Sequence, residues 1–426
     1  MKNFLFNSSI IKSTLIYTCS NIAVAIVPFL LLPIMTKYLS TSDYGIISNY
    51  FLLVSITSSF VGVNVHGAIM LAYYDQEKID LPLYIKNCLL IIIGSVLVVS
   101  IIFLPLKNMI SNYTYIPVSW LWTVVVICSI QMIISINLNL WRINLFALKY
   151  SFFQITQTLT TLGFSIWLVV FWGLGWKGRI EGSFSVVLIY GIVSIYCLYK
   201  DGWLKGKISV NKAYLKEALL FGLCIIPHGL GLIIMQLSDR LFITNMIGIN
   251  ETGIYSVGSQ IGMAITLLTS SFLLAFQPWL YEKLSDGKPD SNKKIVIITY
   301  LFVIGTIISS LILGTISPFI INLFVDKKFS GANMYVLWLA LGYGFYAIYS
   351  LFVNFIAYTR RTGIISIITI VSCLINIGLN LRFIHLFGAI GSAYATCFAY
   401  LFMAFLSIFF VIKEFRDIHW LPFRSI

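Results

Sequence analysis

The sequence predicts an all-α polytopic membrane protein, with about 12 transmembrane helices in two parallel-repeat six-helix bundles around a central cavity. Three observations predict it: the composition, the spacing of apolar segments, and a repeat between the two halves. Of 426 residues, 59% are hydrophobic and only 10% are charged, and the mean hydropathy is +0.94. Soluble domains carry roughly 25% charged residues. This chain therefore has too few charges to cover a water-facing surface of its size.

Apolar segments fill most of the chain, and each is about 20 residues long, which is the length that crosses the hydrocarbon layer. The first segment is long and lacks a small-residue cleavage site, so we interpret it as a span and not as a signal peptide. The connections between segments are short and contain Pro or Gly, as turns do. We predict spans at 14–36, 44–66, 83–105, 118–140, 151–172, 183–199, 218–243, 253–276, 295–316, 333–357, 363–384 and 388–412.

The distribution of Lys and Arg predicts the orientation. With the N-terminus in the cytoplasm, 20 of the 28 Lys and Arg residues lie on the cytoplasmic side and 8 on the other side. Cytoplasmic loops carry the excess of positive charge in membrane proteins. We therefore expect a multi-pass protein with both termini in the cytoplasm, as an even number of spans requires. The net charge of +13 then reflects topology, and we expect no nucleic-acid partner.

The second half of the chain repeats motifs of the first. The segment Thr36–Ser48 is similar to Thr244–Ser256 at an offset of 208, and Asp43 aligns with Glu251. A second similarity precedes the last span of each half, at Gly178–Ser183 and Gly388–Ser392. Because each half has an even number of spans, the halves share one orientation. We predict an N-terminal bundle at 1–207 and a C-terminal bundle at 208–426, an arrangement that suits alternating access.

Polar side chains recur on one face of several predicted spans. In lipid such a face must turn inward, where it can line a cavity or hold helices together. We consider His66, Gln154, Gln157, Asn376 and Asn380 candidate substrate-binding residues. They belong to three stripes: Ser48, Ser55, Ser59, Gly62 and His66 in span 2; Gln154, Gln157, Thr158, Thr161 and Ser165 in span 5; Thr369, Ser372, Asn376 and Asn380 in span 11.

Span 7 carries charged residues and Pro227, which predicts a kink. His228 and Asp239 are eleven positions apart, within about 20° on one helical face. A charge at mid-bilayer costs about 2.5–3.5 kcal/mol unless it is paired or wetted. Arg240 can therefore present positive charge to an anionic substrate, with Asp239 or His228 binding a coupling proton; a local ion pair at the interface is the alternative. Arg142 is a second candidate for a phosphate group, or a boundary residue that snorkels.

Motifs of enzyme catalysis are missing from the sequence. It has no Walker A loop and no GxSxG, HExxH or DxD motif. The seven cysteines lie in apolar segments without a CxxC pair, which is typical of packing residues. We therefore expect a transporter and not an enzyme, with no cofactor and no bound metal.

An ordered set of motifs over nearly the whole chain resembles one known family. Its members are Tyr38–Ile46, Pro227, Ser238–Ile243, Gly253–Val257, Ala275–Trp279, Asn376–Asn380 and Phe387–Thr396. The chain resembles the Wzx-type flippases of O-antigen or capsular polysaccharide repeat units, which are related to multidrug-and-toxin extruders.

The resemblance implies two bundles in a V with a partly cationic cavity. The activity that it implies is movement of an undecaprenyl-diphosphate-linked oligosaccharide from the cytoplasmic to the periplasmic leaflet of the bacterial inner membrane, in lipopolysaccharide or capsule synthesis. The expected partners are this lipid-linked substrate, membrane lipids, and the polysaccharide polymerase and chain-length machinery. Few cations lie deep in the predicted spans, so Arg240 and Arg142 are the candidates left for the diphosphate.

Two other functions remain open. A cation-coupled multidrug exporter has the same architecture, but it would carry acidic residues deep in the first bundle, and predicted spans 1–6 contain none. A membrane polysaccharide polymerase is the less favoured alternative, because it needs a large loop to carry its chemistry.

Overall fold

The computed structural model describes residues 8–75, 79–206, 209–286, 288–359, 361–416, 418 and 420. These residues form α-helices and no β-strand, with two 3₁₀ turns (Val118–Trp120 and Lys327–Ala332) and a π-helical turn (Trp167–Phe171). The helices are α1 Ser8–Tyr38, α2 Thr41–Phe60, α3 Val65–Tyr74, α4 Leu81–Thr114, α5 Leu121–Ile143, α6 Ala147–Ile166, α7 Gly175–Lys200, α8 Lys212–Leu237, α9 Asp239–Met246, α10 Ile249–Gly262, α11 Ala264–Asp286, α12 Pro289–Phe324, α13 Asn333–Tyr358, α14 Thr362–Phe387 and α15 Ile390–Glu414.

The helices confirm the predicted class of polytopic membrane protein. Within the described ranges, 11 segments are long and apolar enough to cross a membrane, or up to 12 if α2 and α3 form one broken span. These assignments rest on length and composition. Because water is missing from the hydrocarbon layer, a spanning helix must satisfy its backbone hydrogen bonds internally, which the long unbroken helices do.

The predicted span 44–66 is broken and is not one continuous helix. α2 ends at Phe60 and α3 begins at Val65, with a bend of 44° between them. The corner has positive φ at Gly62 (76°), Val63 (45°) and Asn64 (51°), which is a strained conformation for a β-branched residue such as Val63. His66 therefore lies on α3, and the predicted polar stripe does not continue to it along one helix.

The predicted span 218–243 is also interrupted. α8 continues through Pro227 to Leu237, and α9 begins at Asp239. At the junction, the Leu241 N–H donates to Ser238 O at 2.9 Å, an i→i+3 bond that tightens the turn. His228 and Asp239 therefore lie on two successive helices, and their predicted position on one face stays a prediction.

The helix ends repeat between the two halves of the chain. α1 ends at Tyr38 and α2 begins at Thr41, while α9 ends at Met246 and α10 begins at Ile249. Both pairs differ by the same 208 positions that relate the two sequence motifs. α4 and α12 begin at the same offset, at Leu81 and Pro289.

The loops at this repeat start their helices differently, although each places an acidic residue in the first turn. Ser40 and Asp43 form a capping box, in which Ser40 N donates to Asp43 Oδ2 at 3.0 Å and Asp43 N donates to Ser40 Oγ at 3.0 Å. In the second half, Gly248 precedes α10 with a φ of 140°, and Glu251 accepts a hydrogen bond from the Tyr335 hydroxyl. The aligned acidic residues thus both lie in the first turn of a helix.

The residues group into two compact units, Met1–Ile233 and Ile234–Ile426. In the first unit, α5 packs against α2, α4 and α7, and α1 packs against α6. In the second unit, α13 packs against α10, α11, α12 and α15. Packing defines these units, whereas the predicted boundary at 207/208 divides the chain by its repeat, so that boundary stays a prediction.

Glycines set the closest helix contacts, as expected where lipid provides no hydrophobic force between helices. In the second unit, a Cβ at Gly258 would lie 2.8 Å from the Ala332 carbonyl oxygen next to α13. In the first unit, a Cβ at Gly222 of α8 would lie 1.8 Å from the Val63 carbonyl oxygen, at the corner between α2 and α3. The bare backbone at Gly222 is therefore what lets α8 pack on this corner.

We expect Gly222→Ala to lower the free energy of unfolding by about 1–3 kcal/mol, because its methyl group would force the strained corner and α8 apart. Gly229→Ala is the matched control on the same helix, since a Cβ there meets no atom within 4 Å. The measurement is thermal unfolding of both purified variants in detergent. Equal unfolding temperatures for Gly222→Ala and wild type would contradict this account of the packing.

Candidate functional site

A buried carboxylate lies at the centre of a polar cluster in the second unit. Asp239, the first residue of α9, is 2% exposed. Asp239 Oδ2 accepts hydrogen bonds from the Tyr255 hydroxyl at 2.5 Å and from Thr396 Oγ1 at 2.6 Å, and Oδ1 accepts one from Asn380 Nδ2 at 3.1 Å. The carboxylate thus joins α9 to α10, α14 and α15.

Two asparagines one helical turn apart extend this cluster along α14. Asn376 and Asn380 are both 0% exposed. Asn380 Nδ2 also donates to Asn376 O at 3.0 Å and lies 3.2 Å from Asn376 Oδ1. Asn380 Oδ1 accepts from Ser392 Oγ at 2.5 Å. Gly391, beside that serine, permits the approach, because a Cβ there would lie 2.1 Å from the Phe383 carbonyl oxygen.

Arg240 follows the carboxylate in sequence and is also buried, with 7% exposure. Its Nη1 donates to Gln236 O at 3.0 Å and its Nη2 to Ser259 Oγ at 3.3 Å. The Ser259 and Tyr343 hydroxyls are 2.9 Å apart and extend the network to α13. The Arg240 guanidinium is therefore enclosed by the protein in this structure.

The structure thus brings together four of the residues that the sequence analysis proposed: Asp239, Arg240, Asn376 and Asn380. Asp239 and Asn380 are 141 positions apart in sequence, but their helices meet in one unit. Whether they bind substrate or ion stays a prediction. His228 lies on α8, where its Nδ1 is buried and has no hydrogen-bond partner among the described residues.

The remaining candidates, Arg142, His66, Gln154 and Gln157, lie in the first unit, and their binding role stays a prediction. Arg142 is exposed at the end of α5, where its Nη2 donates to Asn139 Oδ1 at 2.7 Å. His66 is partly buried on α3, and Gln154 and Gln157 are partly buried on α6. Among the described residues, neither His66 Nδ1 nor Gln154 Oε1 has a hydrogen-bond partner. No hydrogen bond joins these four candidates to one another in the described part of the unit.

Several residues of the cluster were missed by sequence reasoning. Tyr255 and Thr396 lie inside motifs that carried the family resemblance, so a signal for them existed. Tyr343 lies in the apolar helix α13, and nothing in the sequence distinguishes its buried hydroxyl from the other tyrosines.

Arg179 was also missed, because the predicted span began at 183 and placed this residue in an external loop. α7 begins at Gly175, so Arg179 lies in its second turn, inside a spanning segment. Its Nη1 donates to Ser165 Oγ at 2.8 Å and to Ser183 Oγ at 2.9 Å. Its guanidinium lies over the Phe51 ring, 5.4 Å from the centroid.

Known proteins resemble this chain over most of its length. Residues 10–283 match the family model described as polysaccharide biosynthesis protein, and residues 226–381 match the MatE model. An uncharacterized membrane protein of Haemophilus influenzae is 25% identical over 381 residues, covering 87% of this chain and 89% of the relative. Lsg locus protein 1 of the same organism is 23% identical, covering 90% of this chain and 95% of that protein.

Solved structures share the fold. An inward-facing multidrug resistance MATE family transporter of the MOP superfamily has a TM-score of 0.69 at 13% identity, covering 94% of this chain and 95% of the other. The lipid II flippase MurJ in an inward closed conformation has a TM-score of 0.68 at 16% identity, covering 97% and 90%. The chain therefore belongs to the polysaccharide biosynthesis protein family, and it has the multi-span, repeat-bundle fold of MOP-superfamily transporters and flippases.

Proposed function

We propose that this protein is a flippase of the bacterial inner membrane, with both termini in the cytoplasm. It moves undecaprenyl-diphosphate-linked oligosaccharide repeat units, of O-antigen or capsule, to the periplasmic leaflet by alternating access. The observation that carries the proposal is the polysaccharide biosynthesis family match over residues 10–283. A sugar head group cannot cross hydrocarbon unaided, because each polar group left without a partner in lipid costs several kcal/mol. A repeat-bundle transporter fold is suited to that task, and we propose no bond-making chemistry for it.

A cation-coupled multidrug exporter is the second candidate, and the MatE match over residues 226–381 favours it. The acidic side chains of the first unit argue for the flippase. In its described residues, Asp43 and Glu181 lie in the first two turns of α2 and α7, and Glu217 lies in the second turn of α8. None of the described acidic residues lies midway along a spanning helix of that unit, where an exporter of this design would hold its cation.

The test of the proposed function is flipping itself. Purified protein is reconstituted in liposomes with lipid-linked oligosaccharide from the native host, and an impermeant reagent reports which sugars are exposed. Protein-dependent exposure of the inner pool is the expected result. The contrary result is that the sugars stay inaccessible to the reagent while the protein dissipates a drug or ion gradient. That result would favour the exporter, and the family match would then indicate the fold alone.

Asp239 is our candidate for the residue that binds the coupling ion. A carboxylate kept inside a membrane bundle marks an ion pathway by default, and this one accepts from three side chains on three helices. Binding a cation changes the charge that those donors stabilise. The positions of α10, α14 and α15 relative to α9 then depend on whether the cation is bound, which is the differential interaction that coupling requires.

We expect Asp239→Asn to remove the response of flipping to an ion gradient, because the amide carries no negative charge; it keeps one accepting oxygen and replaces the other with an NH2 donor. The rate is measured in liposomes with an imposed pH gradient and, separately, a Na⁺ gradient, to learn which ion acts. Asp290→Asn, at an exposed position at the start of α12, is the matched control and should respond as wild type does. A gradient response retained by Asp239→Asn would refute the assignment.

We expect Arg240→Ala to reduce flipping to the rate of protein-free liposomes while the protein remains in the membrane at its wild-type level. The physical reason is loss of the positive charge that would bind the substrate diphosphate when the helices part. Arg382→Ala is the control, because Arg382 is exposed on α14. Normal flipping by Arg240→Ala would show that this arginine only fixes the end of α8 and α9.

A further inference from the structure

The first unit contains an arginine, Arg179, that forms no ion pair in the described part of the chain. Arg179 lies in the spanning segment Gly175–Lys200 and is partly exposed. Among the residues that the structure describes, no carboxylate forms an ion pair with it. Charged residues inside spanning segments are rare and often mark a substrate pathway, although Arg179 lies in the second turn of its helix.

The guanidinium keeps most of its hydrogen-bonding capacity unused. It has five N–H donors, and both of its hydrogen bonds, to Ser165 and Ser183, start from Nη1. Within the described part of the chain, no protein oxygen accepts from Nε or Nη2. The edge of the guanidinium that suits two parallel hydrogen bonds is therefore available to a ligand.

The surroundings add hydroxyl groups, and the carboxylate of Asp43 lies one helical turn away, 3.4 Å from where a Cβ of Gly175 would be. Ser165 and Ser183 are 0% and 6% exposed, and each uses its oxygen as an acceptor for Arg179, which leaves its hydroxyl hydrogen to donate. Gly182 leaves room for Ser165, because a Cβ at Gly182 would lie 2.7 Å from the Ser165 oxygen. Phe51 covers one face of the guanidinium. A guanidinium held in this way, with N–H donors to spare, suits an anion that presents several oxygens.

The internal repeat places a different charge at the equivalent position of each half. Gly182 and Ser183 correspond to Gly391 and Ser392 in the second similarity between the halves. In the second unit, Ser392 donates to Asn380, which in turn donates to the Asp239 carboxylate. The contact between α14 and α15 thus adjoins a carboxylate, whereas the equivalent contact between α6 and α7 holds the cation Arg179.

We propose that Arg179, with Ser165 and Ser183, forms an anion site that binds the diphosphate of the lipid-linked substrate. The proposal rests on the proposed flippase function. Planar guanidinium matches the oxygens of a phosphoryl group with two parallel charge-assisted hydrogen bonds, which an ammonium group cannot do. The two serine hydroxyl groups accept from Nη1 and so hold the guanidinium in position.

The test uses farnesyl diphosphate as the probe, with full-length protein in detergent. A ligand that binds the folded state raises the unfolding temperature in a concentration-dependent way. We expect this rise in wild type and in Arg382→Met, and a clearly smaller rise in Arg179→Met, whose side chain keeps much of the volume without the charge. Farnesol, which lacks the diphosphate, and phosphatidylglycerol, which carries the phosphate of an ordinary lipid, are the matched ligands and should give no rise.

The same rise in Arg179→Met as in wild type would overturn the proposal, as would an equal rise with farnesol or phosphatidylglycerol. If Arg179→Met does not fold, the double variant Ser165→Ala/Ser183→Ala replaces it. Removing both hydroxyl groups should weaken farnesyl diphosphate binding about tenfold, and unchanged binding would count against the site. Because this assay needs no transport, binding without flipping would refute the proposed function alone, and flipping without binding would refute this inference alone.

Discussion

A charge inside the hydrocarbon layer must find its hydrogen-bond partners within the protein, and the second unit is organised by that constraint. Asp239 obtains its donors from α10, α14 and α15, so these helices can pack only where their polar groups meet the carboxylate. Ser392 then donates to Asn380 Oδ1 behind the carboxylate. A buried network of this kind is costly when one member is lost, because its partners remain buried without a hydrogen bond. The glycines near these helices allow the close approach that the network needs.

The fold was largely predictable because two strong signals agree. Apolar length gave the number of spans, and the motif repeat marked the loops at which α2 and α10 begin. The interruptions were not predictable, because hydropathy is averaged over a whole span and does not change at a local corner. The turn at Gly62, Val63 and Asn64 occurs where α8 packs its bare backbone at Gly222. That contact joins segments far apart in sequence, so the local sequence does not predict it.

The site was predictable only in part, for the same reason. Asp239, Arg240, Asn376 and Asn380 could be chosen because polar residues are rare in apolar spans, and the structure places them in one cluster. Tyr343 could not be chosen, since only the contact with Ser259 shows that its hydroxyl is used. Arg179 was not predicted as a site residue because the start of its helix was placed too late in the sequence. A start of α7 eight residues later would make it a loop residue, whereas the actual start at Gly175 places it in the span.

The two units have therefore diverged at equivalent helix crossings. One holds a carboxylate among neutral donors, and the other holds a guanidinium among hydroxyl groups. If the guanidinium binds the substrate anion and the carboxylate binds a cation, each ligand stabilises its own unit through a separate set of helices. Coupling between the two ligands then requires no direct contact between them. It requires only that each binds one arrangement of the helices more tightly than the other, because linkage makes such effects reciprocal.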